Sequence, residues 1–382
     1  MTTRLLTGAT GFVGGAVVLE LLDRTEGEIY ALVRGEDSAD ARRRLHEALI
    51  GMARGYGRAD LETAIVTRTR AIRGDMARPG CGVDPAELPA VDELWHAAAS
   101  LRFEEEYREE IEALNVGGTR NVLELARRTG ARTFNYVSTA YVAGSRRGDI
   151  AEGPAVDPSV ANNCYEETKV HAEALVSGAA DGFDRVRIMR PTIVIGHSLT
   201  RHGLNWSGMY GFARQMMTIE KLARRKLGTL LAHARLNLIA DPHCPVNLVP
   251  VDIVARNAVS IALSDSEETY FHLGNSATVP VHVALDRIME LVGLRPPHYV
   301  TDPDCFTALD EQLDKGMVFY GSYLKNPKRF DLTHTEAVCG TGSCHAPLDL
   351  DEVTEYVLYY LRRQRAYVEK SGPIRTLHPV VA

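Results

Sequence analysis

Thr7-Gly8-Ala9-Thr10-Gly11-Phe12-Val13-Gly14-Gly15 follows the short apolar run Thr3–Leu6 and leads into an apolar-rich stretch of helical composition from Val13 to Asp23. Strand, glycine turn and helix in that order give each glycine a task. Gly8 permits the tight turn, Gly11 lets the backbone approach a pyrophosphate, and Gly14 lets helix and strand pack closely. The free N–H groups and the positive end of the helix then hold the phosphates, with Thr10, Phe12 and Val13 in the same turn. A glycine triplet alone is weak evidence; behind a strand and before a helix it predicts a dinucleotide site.

Working outward, the run Ile29–Val33 ends in Arg34, twenty residues after Gly14. An acidic residue near that position would bind a ribose 2′-hydroxyl, whereas an arginine pairs with a 2′-phosphate and favours NADPH. The plainer alternative is a solvated arginine at a strand end, with Glu36 and Asp37 close by. Arg42, Arg43 and Arg44 open the next helical stretch, and one of them would reach the same phosphate. Further on, Arg70–Arg73 leads into Gly74-Asp75-Met76, and Glu93–His96 into Ala97-Ala98-Ala99; Thr133–Ser138 and Val186–Met189 are also strand-like. Phe103, Tyr107, Ile111 and Leu114 share a helical spacing, so the glutamates from Glu104 to Glu112 read as the wet side of that helix. This alternation predicts an α/β fold with a doubly wound parallel sheet, the Rossmann arrangement.

Tyr165-Glu166-Glu167-Thr168-Lys169 sets a tyrosine and a lysine four residues apart, on one face of a helix. The lysine can lower the tyrosine pKa and bind a cofactor ribose, since a tyrosine near its ordinary value of about 10 is a poor acid–base group at neutral pH. Upstream, Val137-Ser138-Thr139 ends a strand, where a hydroxyl can hydrogen-bond a substrate carbonyl. Cys164 faces elsewhere on the helix and receives no chemical role.

These residues together resemble the extended short-chain dehydrogenase/reductases, within them the thioester-reductase and fatty-acyl-reductase (male-sterility-type) branch. The resemblance runs through Thr7–Gly14, Ala31–Arg34, Gly74–Met76, His96–Ala99, Asn115–Thr119, Val137–Val142, Tyr165–Lys169, Arg190–Gly196 and Val249–Asp252. It is strong over residues 1 to about 275 and weaker to about 365, where Phe330-Asp331 and a helix from Leu348 to Arg362 look like the branch's C-terminal region. It implies that Arg34 and Arg44 hold the 2′-phosphate, that Asp75 and Met76 line the adenine site, and that Ala97, Ala98 and Ala99 line the cofactor's middle. Asn115 would support a proton relay or the active-site backbone. Thr139 would polarise the substrate carbonyl, with Ser138 beside it as the alternative hydroxyl and cofactor contact. Tyr165 would donate the proton, Lys169 would tune it and grip the nicotinamide ribose, and Pro191, Thr192 and Ile193 would contact the carboxamide. On a thioester, hydride transfer gives a hemithioacetal that collapses to aldehyde and thiol, and a second transfer gives the alcohol. On a free aldehyde or ketone, one transfer ends the reaction. The core motif serves either substrate.

The rest of the chain bears on that choice. Its 382 residues, 45% hydrophobic and 24% charged, carry a net charge of −7, which argues against general nucleic-acid binding. Its length corresponds to roughly two to three structural units. Six scattered cysteines suggest reduced thiols and a cytoplasmic setting. Cys339, Cys344, His345 and His334 match no common zinc spacing, so no metal is expected. No signal peptide is expected, and no apolar run reaches the ~18 residues of a membrane span. We expect an NADP-binding domain from 1–196 and about 246–275, and a smaller, mainly helical C-terminal substrate region from about 197–245 and 276–382. Trp206, Met209, Tyr210, Phe212, Met216, Met217 and Ile219 read either as a substrate wall or as an ordinary packed helix. Arg214, Lys221, Arg224, Arg225, Lys226 and Arg235 stand against Glu220 alone across 214–235, a basic segment suited to coenzyme A phosphates or an acyl carrier protein, or else simply solvated. Residues 144–161 read as a surface loop and 297–350 as irregular. Relatives in this branch often follow adenylation and carrier domains, so a chain starting at the first strand is expected to act on a free or externally carried substrate.

Overall fold

Arg4–Thr7 (β1) is buried at every position, as expected of a strand with a helix layer on each face. A computed structural model describes residues 2–371 apart from 85, 87, 156, 205–207 and 229–233. Ile29–Val33 (β2), Thr69–Arg73 (β3), Glu93–His96 (β4), Thr133–Val137 (β5), Arg185–Pro191 (β6) and Tyr270–Leu273 (β7) join β1 in one sheet, ordered β3-β2-β1-β4-β5-β6-β7. Every pairing in it is parallel. The strand order turns back beside β1, opening the crevice in which such sheets bind ligands.

Phe12–Arg24 (α1) and Ser38–Gly55 (α2) share one hydrophobic cluster with residues from 249–261. Gly118–Thr129 (α3) and Cys164–Gly178 (α4) pack the other face with Leu5, Leu94 and Phe134. The sequence reading of a doubly wound α/β sheet therefore holds.

A separate cluster gathers Met209–Leu227 (α5), Val281–Val292 (α6), Ala308–Gly321 (α7) and Leu350–Ser371 (α8). Here the methionine–aromatic stripe is core and not a substrate wall. Met209, Tyr210, Phe212, Met216 and Ile219 are buried among α6, α7 and α8, and Met217 packs at the edge; Trp206 lies outside the described residues. Arg214, Lys221, Arg224, Arg225 and Lys226 occupy the solvent side of the same helix, and Arg235 beyond it is also exposed.

Two loop assignments need correction. Within 297–350, Ala308–Gly321 is a helix started by a capping box between Thr307 and Asp310, followed by the strand Lys328–Phe330 and the helix Thr333–Cys339. Within 144–161, Gly148–Ile150 is a strand running parallel to Lys328–Phe330. Three-residue strands are too short to show a period. The helix expected through Phe103 to Leu114 is also broken. A tight turn at Glu105–Tyr107 precedes Arg108–Glu112, and a π turn at Ala113–Gly117 leads into α3. Glu105, Glu106, Glu109, Glu110 and Glu112 do face solvent.

Candidate active site

The glycine turn leaves no room for side chains. Gly8 has φ +77°, and a Cβ there would lie 2.7 Å from the Ala98 nitrogen and 2.8 Å from the Ala97 carbonyl carbon. A Cβ on Gly14 would lie 2.2 Å from the Gly8 oxygen, so α1 presses directly on the turn. Gly11 is the N-cap of α1 and supplies no side-chain cap, which leaves the helix N–H groups available to an anion. Phe12 turns its ring into the core, so its backbone is what this position offers. Thr10 is exposed and Val13 half-buried. This cradle fits a dinucleotide pyrophosphate.

Arg34 is exposed just beyond β2, and the Arg44 guanidinium donates to its carbonyl oxygen at 2.7 Å. Arg43 instead pairs with Asp40 and Glu47. Arg42 lines a groove of about 560 Å³ with Thr69, at the opposite end of β3 from Asp75. Asp75 and Met76 follow β3; the Met76 side chain lies against Gly118, and its carbonyl accepts from Asn121.

Beneath Ala97–Ala99, His96 is buried between two threonines. Its Nδ1 is 2.7 Å from the Thr7 hydroxyl and its Nε2 3.0 Å from that of Thr119. Burial, then the nearby Lys169 charge, pushes its pKa down to about 3, so it serves as a neutral brace. Asn115, in the π turn, accepts from the Ser100 N–H at 2.8 Å and donates to the Thr168 hydroxyl at 3.1 Å. Thr168 in turn donates to the Tyr165 carbonyl. Asn115 thus ties the crevice wall to the first turn of α4, which begins at an Asn163 cap.

Tyr165 and Thr139 come together here, close enough for the threonine hydroxyl to act on the phenol. Burial, then the Glu166 charge, raises the Tyr165 pKa, and the Thr139 hydroxyl opposes them. The raised pKa keeps the tyrosine protonated at neutral pH. Thr139 also accepts from the Tyr141 N–H. The Ser138 hydroxyl is buried with no hydrogen-bond partner among the described residues. Lys169 is almost wholly buried; its Nζ donates to the Val137 carbonyl at 2.8 Å and lies 4.4 Å from the Tyr136 ring centre. Burial pulls its pKa down to about 7, with the Glu173 charge acting the other way.

Pro191 ends β6, and Ile193 continues beyond it in a short pair with Leu248. The Thr192 hydroxyl already donates to Asn247, so its backbone is what remains for a ligand. Cys164 is buried with its thiol on the Phe103 carbonyl. Among the C-terminal cysteines and histidines, His345 contacts Ser276, His334 contacts Tyr270, and Cys344 lies by Asn257.

Residues 6–258 match the sequence family described as Male sterility protein, an NAD-binding domain. The chain belongs to this family. It is an NAD(P)-binding domain of the extended short-chain dehydrogenase/reductase type. A glycine betaine reductase of Emericella nidulans is 30% identical over 290 residues, 72% of this chain and 21% of that protein. A linear gramicidin synthase component of Brevibacillus parabrevis is 26% identical over 71% of this chain and 5% of that protein. A fatty acyl-CoA reductase of Drosophila melanogaster is 31% identical over half of this chain and 42% of its own length. The chain therefore spans less than half of each of these relatives. Among solved structures, the terminal R domain of the myxalamid PKS-NRPS pathway superposes with a TM-score of 0.74 at 25% identity, covering 95% of this chain and 91% of that one. A thiolation-reductase di-domain from an archaeal non-ribosomal peptide synthetase gives 0.70 at 18% identity, over 96% and 76%. No described helix is long and apolar enough to cross a membrane.

Sequence reasoning missed three members of this neighbourhood: His96, the Glu166–Tyr323 contact and the Glu173–Arg190 pair. Only Glu173 left a usable signal, its place four residues after Lys169 on the same helix face.

Proposed function

We propose that the protein is an NADPH-dependent reductase of acyl thioesters, carried on coenzyme A or a carrier protein, releasing aldehyde or alcohol. The observation that carries this reading is the placement of Tyr165, Thr139 and the buried Lys169 together beside the glycine cradle. The names of the similar reductases supply the substrate class.

NADPH, when bound, supplies the hydride. Gly8, Gly11, Gly14 and the start of α1 hold its pyrophosphate, and Arg34 with Arg44 its 2′-phosphate. Asp75 and Met76 line the adenine end, Ala97, Ala98 and Ala99 the middle, and Pro191, Thr192 and Ile193 the nicotinamide end. Thr139 donates to the substrate carbonyl oxygen and Tyr165 passes its proton there as negative charge develops. Thr139 takes this role over Ser138 because its hydroxyl is the one that acts on Tyr165, whereas that of Ser138 is buried. Lys169 binds the nicotinamide ribose. The cofactor domain comprises 1–196 and about 246–275, and the remaining residues form the substrate region, a division supported by the separate cluster of α5 to α8. The exposed cations of 214–235 offer a landing surface for coenzyme A phosphates or an acidic carrier protein.

The test supplies purified protein and NADPH with acyl-CoA, acyl-carrier protein or free aldehyde, and follows thiol release alongside NADPH oxidation. Thiol appearing with oxidation is the expected result; aldehyde consumption with no thiol from any thioester would assign a free-carbonyl reductase instead. Arg34→Ala should raise the KM for NADPH about tenfold or more and leave that for NADH nearly unchanged, as loss of a phosphate partner requires. Equal changes for both cofactors would remove Arg34 from the 2′-phosphate site.

A further inference from the structure

Glu166 adjoins the proton donor in sequence yet points away from solvent. It is completely buried, an expensive place for a carboxylate unless its oxygens are all occupied. They are. One oxygen accepts from the Tyr323 hydroxyl at 2.7 Å, and the other accepts from the Asn162 N–H and side-chain amide, both at 2.8 Å. The charge of Lys328, itself buried, also acts on it.

Tyr323 comes from the far C-terminal part of the chain, between α7 and the strand Lys328–Phe330. Its ring packs edge-on against Tyr141 with centres 4.6 Å apart, and Tyr141 also meets Phe330. Tyr141 is the residue whose N–H bonds the Thr139 hydroxyl. One side chain, Tyr323, therefore touches both arms of the catalytic pair: the helix of Tyr165 through Glu166, and the turn of Thr139 through Tyr141. Main-chain pairing of Lys328–Phe330 with Gly148–Ile150 anchors the same segment five residues later.

We propose that Glu166 and Tyr323 are positioning residues, forming a clasp by which the C-terminal segment holds Tyr165 and Thr139 in register for proton donation. The proposal rests on the reading of Tyr165 as proton donor. The clasp acts on geometry at the reacting carbonyl and leaves the dinucleotide cradle, on the other side of β4, untouched. Small misplacements of catalytic groups are costly in rate, so its loss falls on kcat.

Tyr323→Phe keeps the ring contact with Tyr141 and removes only the hydroxyl. It is expected to lower kcat about tenfold while the NADPH dissociation constant, read by fluorescence titration, moves less than about twofold. Glu166→Ala should cost at least as much, since it also strands the two Asn162 donors. Glu166→Gln, which can still hydrogen-bond the tyrosine hydroxyl, should recover kcat to within about threefold of the parent. The Glu166→Ala/Tyr323→Phe pair should cost no more than Glu166→Ala alone, because the Tyr323 hydroxyl reaches the helix of Tyr165 through Glu166. Parent-like kcat in Tyr323→Phe, multiplying losses in the pair, or equal losses in Glu166→Gln and Glu166→Ala would each overturn the clasp. NADPH binding is the readout that a general loosening of the fold would also move. Should Glu166→Ala not fold, Tyr323→Phe and Glu166→Gln decide the matter. Full activity in Tyr165→Phe is the separate result that would remove the proton donor itself.

Discussion

Tyr165→Phe should lower kcat by at least about two orders of magnitude with NADPH bound as before, the usual worth of a positioned general acid. The substitution keeps the ring and deletes the phenol hydroxyl on which Thr139 acts. Phenylalanine suits this half-buried position, so the protein should fold and bind cofactor normally. The effect belongs to the transition state: negative charge on the carbonyl oxygen then has the Thr139 hydroxyl alone to meet it. Stopped-flow single turnovers separate this step from product release. A single-turnover rate within about threefold of the parent would transfer the proton to another group.

The second large effect is on stability. Glu173 and Arg190 are both 2% exposed and form a two-pronged pair, Nε to Oε1 at 2.9 Å and a second nitrogen to Oε2 at 2.6 Å. The remaining Arg190 nitrogen donates to the Gly153 carbonyl. Glu173→Ala strands a buried guanidinium in the sheet floor and should cost about 3–5 kcal/mol, visible as a lower urea midpoint at unchanged slope. Replacing both partners, Glu173→Leu with Arg190→Met, should recover much of that loss, because the penalty lies in the unpaired charge more than in the missing attraction. A loss below about 1 kcal/mol in Glu173→Ala would show that water reaches Arg190. Glu173 is also the charge that offsets burial of Lys169, so the alanine variant should push the lysine pKa further down.

The parts legible in the sequence are those whose chemistry is local. The glycine turn, the strand end at Arg34 and the Tyr165–Lys169 spacing all declare themselves within a few residues. Asn115 could be named from its motif, with a proton relay or the active-site backbone as its work, but not its partners, because the π turn that aims it at Ser100 and Thr168 has no composition signature. The stripe from Met209 to Ile219 reads identically as pocket wall or packed face, and only its burial against α6, α7 and α8 decides. Glu166 and Glu167 are neighbours of one type with opposite fates: one buried under Tyr323, the other paired with Arg108 on the surface. Asn162 bonds Glu166 locally, but Tyr323, the residue that covers it, lies 157 positions away.

The pairing of Gly148–Ile150 with Lys328–Phe330 bears on the order in which the molecule is built. Asp149 and Arg329 lie 180 positions apart along the chain, and closing a loop of that span is a slow event in the search for the native state. The parallel sheet from β1 to β6 needs none of it. Refolding should therefore yield cofactor binding before turnover, with an interval in which the molecule holds its nucleotide but has not yet gained the proposed catalytic alignment.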